Sequence, residues 1–434
     1  MAKLWQQATG KSDLEQKVER FTVGDDYLLD QRLIPFDIEA SKAHAKGLHK
    51  IGLLTAAELD ELLHAMDEIL TAWKEGSFEI RPEQEDGHTA IEAYLIDRLG
   101  ETGKKIHTGR SRNDQVLAAM RLYEKDAIQR LAEEICATIG AFLDQAETYQ
   151  YIPMPGYTHT QRAMLSSVGM WLAAIAEMLL LDLEAIRAAY CNVNLSPLGT
   201  AAGFGVNLDL PREWVAEELG FDGMITVSLT AQNTRGKIDL QLVQALEGAG
   251  ATLAHFANDL IWYTSREFGF FEVDPALCTG SSIMPQKQNL DTAELIRARY
   301  ATLCGCEQAI KMNAVKLTSG YHRDLQLIKK NVMTAFDEIR SMLDMSLLLV
   351  NHLRPKEARL KEACTKELFA ADQANEWVKE GLPFREAYHK VKSSLDSLEA
   401  GDLSERLKEK THTGTTGNLG IELLRNRLGA FSLK

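Results

Sequence analysis

The sequence predicts an all-α protein, and three observations carry that prediction. Only ten prolines occur in 434 residues, and they leave long windows free, from Pro82 to Pro153, Pro211 to Pro275 and Pro285 to Pro355. Proline breaks a helix interior by removing a donor and clashing with the preceding turn, so such windows are open to long helices. Within them apolar residues recur at three- and four-residue spacing, as in Leu242, Leu246, Ala249 and Leu253, which is the period of one helix face. The strict alternation that a half-buried strand needs is scarce.

Taken in chain order, Asp114 to Tyr149, Thr160 to Tyr190 and Thr230 to Arg266 each read as one helix, spanning roughly 45 to 55 Å at about 1.5 Å per residue. Before the second of these, Pro155-Gly156 reads as a turn that presents Thr158 and His159 at a helix start. The run from Ala163 to Leu181 is apolar enough to suggest a membrane span, but Glu177 interrupts it and Asp182 and Glu184 follow, so a buried helix is the better reading. Gly280 to Asn289 reads as a loop, and Asp291-Thr292-Ala293-Glu294 as a helix beginning with an acidic turn. Helices this long, apolar on more than one face, suggest a bundle continued across subunit boundaries.

Composition narrows the function. Lys plus Arg number 48 against 62 Asp plus Glu, a formal net charge of -14, which argues against a general nucleic-acid or anionic-membrane surface. The six cysteines show neither zinc-ligand nor C-x-x-C spacing and read as reduced thiols of a cytoplasmic protein. Met1 to Gln7 carries no apolar core with a cleavage site, so secretion is not expected. A Rossmann glycine pattern, a P-loop and H-E-x-x-H are all missing, so the expected chemistry needs no cofactor and no metal.

The loop Gly280-Ser281-Ser282-Ile283-Met284-Pro285-Gln286-Lys287-Gln288-Asn289 gathers the parts needed to handle a carbanion. It offers hydroxyls as proton acceptors, a proline that stiffens the turn, and a lysine and an amide to meet growing carboxylate charge. It also ends at a helix N-terminus, where anions are favoured. Two further segments stand out: His107-Thr108-Gly109-Arg110-Ser111-Arg112-Asn113-Asp114, with two guanidiniums suited to carboxylates, and Met154-Pro155-Gly156-Tyr157-Thr158-His159-Thr160-Gln161-Arg162.

Together these three segments resemble the fumarase/aspartase superfamily and its argininosuccinate lyase branch, with weaker similarity along nearly the whole chain. The resemblance implies three helical domains, 1–106, 107–353 and 354–434, and a homotetramer whose central long helices form a shared bundle with active sites built from several subunits. It implies β-elimination of argininosuccinate to arginine and fumarate. Ser281 would be the base, and Lys287 and Asn289 would hold the carboxylate whose charge grows. His159, oriented by Glu294, would serve proton transfer to the departing nitrogen. Ser111, Arg112, Asn113 and Thr158 would bind the succinate part, and Tyr321, Arg323, Gln326 and Lys329 lie where the family places substrate contacts. Read from residue types alone, several stay open: Ser282 is a turn hydroxyl, Glu294 could be a solvated first-turn carboxylate, and Arg110 could tie structure together through an ion pair.

The chain departs from the family in three places. Gln288 stands where a second lysine is usual and Leu290 where a proline is usual. Asp26 aligns with a substrate-contacting serine, and Leu327-Ile328 replace a commonly acidic pair. A modified substrate, adenylosuccinate, or a non-catalytic structural relative such as a lens crystallin are the alternatives; retention of His159, Ser281 and Lys287 weighs against the last.

Overall fold

The computed structural model describes residues 12–433, so Met1 to Gln7, read above for a secretion signal, lie outside the described residues. The fold is all-α, as the sequence predicts. Its seven longest helices are α1 (Ile34–Lys50), α2 (Ala56–Lys74), α3 (Arg112–Thr148), α4 (Val168–Val193), α5 (Lys237–Thr264), α6 (Asp291–Ala314) and α7 (Ile328–Asn351). Among the described residues, no helix is long and apolar enough to cross a membrane.

Two of the expected helices begin later than the periodicity predicts. Pro153–Thr158 (β1) and Gln161–Ser167 (β2) pair as an antiparallel hairpin with Thr158 opposite Gln161, so α4 starts only at Val168. Thr230 lies in a separate short helix, Ser228–Asn233, and α5 starts at Lys237 after a turn through Gly236. That glycine has φ +87°, and a Cβ there would stand 2.8 Å from Ala314 Cβ and from Ile328 Cδ1. No other residue fits so close an approach in a left-handed backbone. The remaining expected helix, Asp114 to Tyr149, agrees with α3 to within two residues at each end.

The described residues divide into two compact units, one drawn from 1–130, 186–244 and 305–336, the other from 131–185, 245–304 and 337–434. In the first, α1, α2 and the helix Gly87–Leu99 enclose a core that includes Ile34, Ile38, Leu62, Met66, Ile91 and Leu95. Local chemistry fixes these helix starts. Thr55 and Glu58 bond reciprocally to each other's backbone N–H at the head of α2, satisfying donors the helix cannot. Asp86 Oδ1 accepts from Thr89 N at 2.9 Å and so caps Gly87–Leu99. Deeper in this unit Arg121 is buried between Glu124 and Asp239; burial pushes the Glu124 carboxyl up to about 8 despite the attraction of Arg121.

In the second unit an aromatic core joins Phe142, Phe256, Trp171, Tyr263 and Phe271, with Phe142 and Phe256 edge to face at 4.8 Å between centroids. Trp171 Nε1 donates to Asp259 Oδ2 at 2.9 Å, so the half-buried ring keeps its donor satisfied. A smaller cluster, Leu165, Cys364, Leu368, Phe369 and Leu407, packs beneath β2.

Candidate active site

The head of α3 is built around a buried carboxylate. Asp114 accepts from Ser111 N at 2.9 Å through one oxygen, and from Gly199 N at 3.0 Å and Ala201 N at 2.9 Å through the other. Burial raises its pKa, and those three N–H donors with Arg110 resist the rise. Ser111 Oγ in turn accepts from Asn113 N at 3.3 Å, so the Arg110 to Asn113 turn is fixed from both sides. Arg110 is buried and donates to Ser41 Oγ at 2.9 Å.

Arg112, Asn113, Tyr321, Arg323, Gln326 and Lys329 come together in the first unit around a cavity of about 150 Å³, which Asp26, Asp30, Glu85, Asp86 and Arg235 also line. Its ions are largely paired. Arg112 bonds to Asp86 and lies 3.6 Å from Glu85. Burial opposes the Asp86 charge most strongly, but His88 and Arg112 outweigh it and hold the carboxyl below its ordinary value. Arg323 donates to Glu85 at 2.8 Å and to the Thr22 carbonyl at 2.7 Å, and Gln326 donates to the same carbonyl at 3.0 Å. Lys329, 4% exposed, bonds to Asp30 and lies 3.3 Å from Asp26. Burial raises the Asp26 carboxyl to about 6, against the pull of Lys329 and with the help of the Asp30 and Asp86 charges.

Ser281, Lys287, Asn289, Glu294, Thr158 and His159 all belong to the second unit. Thr279–Gly280 (β3) and Gln288–Asn289 (β4) form a two-rung ladder that closes the 281–287 loop. Below it Thr279 bonds to Asp291, and Thr292 Oγ1 donates to the Leu277 carbonyl at 3.0 Å. Arg266 donates to the Gln286 carbonyl at 2.8 Å. At the top, Ser281 Oγ accepts from Met284 N at 3.0 Å and from Ile283 N at 3.3 Å. The turn hydroxyl is therefore Ser281 itself. Two amide donors on one hydroxyl oxygen favour its alkoxide.

Asn289 and Glu294 line one cavity of about 290 Å³ together with Gln288, Leu290, Cys278 and Lys356. Lys287 and Glu294 are exposed. Thr158 and His159 are exposed too, but not at a helix start. His159 (φ 52°) and Thr160 (φ 59°) are the two central residues of the hairpin turn between β1 and β2. Left-handed conformation at both positions is the turn whose twist matches its strands, and a β-branched residue there is rare. Pro155 and Gly156 fall inside β1, beside a bulge between Pro155 and Tyr157. Among the described residues no hydrogen bond or ion pair joins His159, Ser281, Lys287 and Glu294 to one another. Sequence reasoning passed over Arg235, and it counted the Glu85-Asp86-Gly87-His88 segment only as weaker family similarity without giving Glu85 or Asp86 a role.

A helical chain with these clusters matches a family model described as Lyase over residues 6–305, which sets the class as a lyase. It is 45% identical over 427 residues to the argininosuccinate lyase of Sorangium cellulosum (strain So ce56), covering 98% of each chain. It is 40% identical over 393 residues to that of Thermotoga neapolitana, covering 90% of this chain and 97% of that one. The chain belongs to the argininosuccinate lyase family of the fumarase/aspartase superfamily. Among solved structures, EDDS lyase in complex with formate superposes with a TM-score of 0.75 at 24% identity, covering 97% of this chain and 85% of that one. The class II fumarase of Schistosoma mansoni gives 0.76 at 16% identity, over 91% and 95%. These two likenesses concern the fold.

Proposed function

We propose that this enzyme splits argininosuccinate into arginine and fumarate by β-elimination, the last step of arginine biosynthesis, in the cytoplasm. The observation that carries the reading is the near full-length identity to argininosuccinate lyases, and the hydrogen-bonded Ser281 hydroxyl gives it a chemical centre. Ser281, as alkoxide, takes the proton alpha to one succinyl carboxylate. The electron pair left on carbon forms the new double bond as the bond to the guanidino nitrogen breaks. His159, oriented by Glu294, serves the proton that this nitrogen gains. Lys287 and Asn289 meet the carboxylate on which negative charge grows. Ser111, Arg112, Asn113 and Thr158 bind the succinate part, while Tyr321, Arg323, Gln326 and Lys329 complete the cradle. Because Arg112, Arg323 and Lys329 are already paired with carboxylates, they act as fixed dipoles more than as free charges. Nothing in this sequence of steps calls on a cofactor.

The enzyme works as a homotetramer with shared sites. Support comes from large apolar side chains left exposed on the long helices, Leu181 on α4, Trp262 on α5, Leu295 and Met312 on α6, all 58–59% exposed. Such exposure along a bundle is what another copy covers. Incubation with argininosuccinate should raise fumarate absorbance, and a pure, folded protein that releases no fumarate would refute the reading. Refolding His159→Asn together with Ser281→Ala should restore activity in mixed tetramers. Mixed tetramers no more active than the parents would show that each site belongs to one chain.

A further inference from the structure

The cavity between Asn113 and Lys329 is lined by four cations, and three of them are neutralised within the protein. Arg112 is held by Asp86 and Glu85, Arg323 by Glu85 and the Thr22 carbonyl, and Lys329 by Asp30 and Asp26. Arg235 is different. Its guanidinium carbon sits 5.0 Å from the centroid of the Tyr321 ring, and among the described residues its side chain makes no ion pair and no hydrogen bond. A cation–π contact uses none of the five N–H donors of a guanidinium. Burial lowers its pKa, with Tyr321, Asp239 and Asp26 opposing, but an arginine stays charged in a protein.

The backbone that carries Arg235 is fixed. Gly236 N donates to Asp239 Oδ2 at 2.6 Å, and Asp239 is itself clamped by Arg121. Gly236 also packs closely against Ala314 and Ile328. A half-buried guanidinium on an anchored turn, resting on a ring and facing a cavity with its donors unspent, is a prepared receptor for a planar anion.

We propose that Arg235 receives a carboxylate of the substrate and is a specificity-determining residue of this enzyme. The inference rests on the reading of the chain as a lyase of a polycarboxylate substrate. Two carboxylate sources are available, the succinyl part and the amino-acid part, and the two products separate them.

Calorimetric titration of fumarate and, separately, of arginine into the full-length wild-type and Arg235→Met enzymes tests this without turnover. One ligand should weaken by about 10- to 100-fold, the loss expected when a hydrogen-bonded charged partner is removed, while the other stays within about twofold. Arg235→Lys, which keeps the charge but not the fork, should recover part of the loss for that same ligand. Unchanged affinity for both ligands would overturn the proposal. So would equal weakening of both with no recovery by lysine, the mark of a merely structural arginine. Should the methionine variant not fold, Arg235→Gln and Arg235→Lys carry the same comparison. A wild-type enzyme that binds these ligands yet cleaves no argininosuccinate would count against the proposed function and leave the assignment of Arg235 standing.

Discussion

Replacing Asp26 by asparagine should stabilise the protein, and by an amount that depends on pH. The Asp26 side chain is 16% exposed and its carboxyl is raised from 3.8 to about 6. Burial is the largest cause, and Lys329 at 3.3 Å only partly offsets it because that lysine is already bound to Asp30. A carboxyl whose folded pKa lies above its unfolded one binds its proton more tightly in the folded state. The stability it contributes is present below about pH 4 and is lost as pH rises through about 6. At about 1.4 kcal/mol per pH unit, holding the ionised form costs about 3 kcal/mol near pH 7, roughly half that at pH 5, and almost nothing below pH 4. Asp26→Asn keeps the volume and drops the charge, while Lys329 keeps Asp30. Melting temperatures of the two proteins compared across this range should coincide near the acid end and separate toward neutral pH, with the variant higher. A difference that is flat with pH, or a variant that melts below wild type near pH 8, would show that the attraction between Asp26 and Lys329 exceeds the desolvation cost and would refute the reasoning.

Three further outcomes are expected. Ser281→Ala should lower turnover by at least about 10²- to 10⁴-fold, the usual contribution of a general base, with KM changed little; near-normal turnover in steady-state kinetics would remove Ser281 from the base position. Thr160→Gly should raise the melting temperature, because leaving a left-handed backbone to glycine recovers roughly 1–2 kcal/mol, less about 0.5–1 kcal/mol of glycine entropy, while kcat falls as the turn presenting His159 loosens. The double change Gln288→Lys with Leu290→Pro should raise kcat/KM a few-fold, an effect that shrinks with added salt. The Leu290 carbonyl still caps α6 by accepting from Ala293 N and Glu294 N, and proline removes about 0.4–1 kcal/mol of unfolded or open-loop entropy.

The long helices were legible because their period is a property of the chain alone. Asp291-Thr292-Ala293-Glu294 starts a helix in the structure where its acidic turn predicts one. β2 was not legible, since Gln161-Arg162-Ala163-Met164-Leu165 contains good helix formers and no β-branched residue; its partner strand, β1, decides its conformation. The hairpin turn was hidden for a related reason. Its left-handed positions carry His159 and Thr160 instead of the Asn-Gly that announces such a turn. The motif residues of the candidate site could be picked out by resemblance, but the state of their charges could not. Which arginine is left without a carboxylate depends on pairings between residues as far apart as Arg323 and Glu85, and no local pattern records them.

In the mechanism proposed above, the 281–287 loop prepares a weak hydroxyl for proton abstraction before any substrate arrives. Its base is rigid, tied by the β3–β4 ladder, by Thr279 to Asp291, by Thr292 to Leu277 and by Arg266 to Gln286. Its tip is open, with Ile283 86% exposed. The two amides on Ser281 Oγ come from Ile283 and Met284, within the loop itself. They therefore travel with the hydroxyl whenever the tip moves, and the stabilisation of the alkoxide does not wait for closure. Closure of this loop over substrate would add the exclusion of water, which strengthens those same hydrogen bonds by lowering the local dielectric. In this arrangement Lys287 is free to serve the substrate: it has no ion-pair partner among the described residues, and its backbone N–H is already bonded to the Met284 carbonyl at 3.0 Å. On the proposed roles, activation of the base lies in the backbone and recognition of the growing carboxylate charge in the side chain, so a change at Lys287 should disturb binding of the transition state while leaving the Ser281 turn intact.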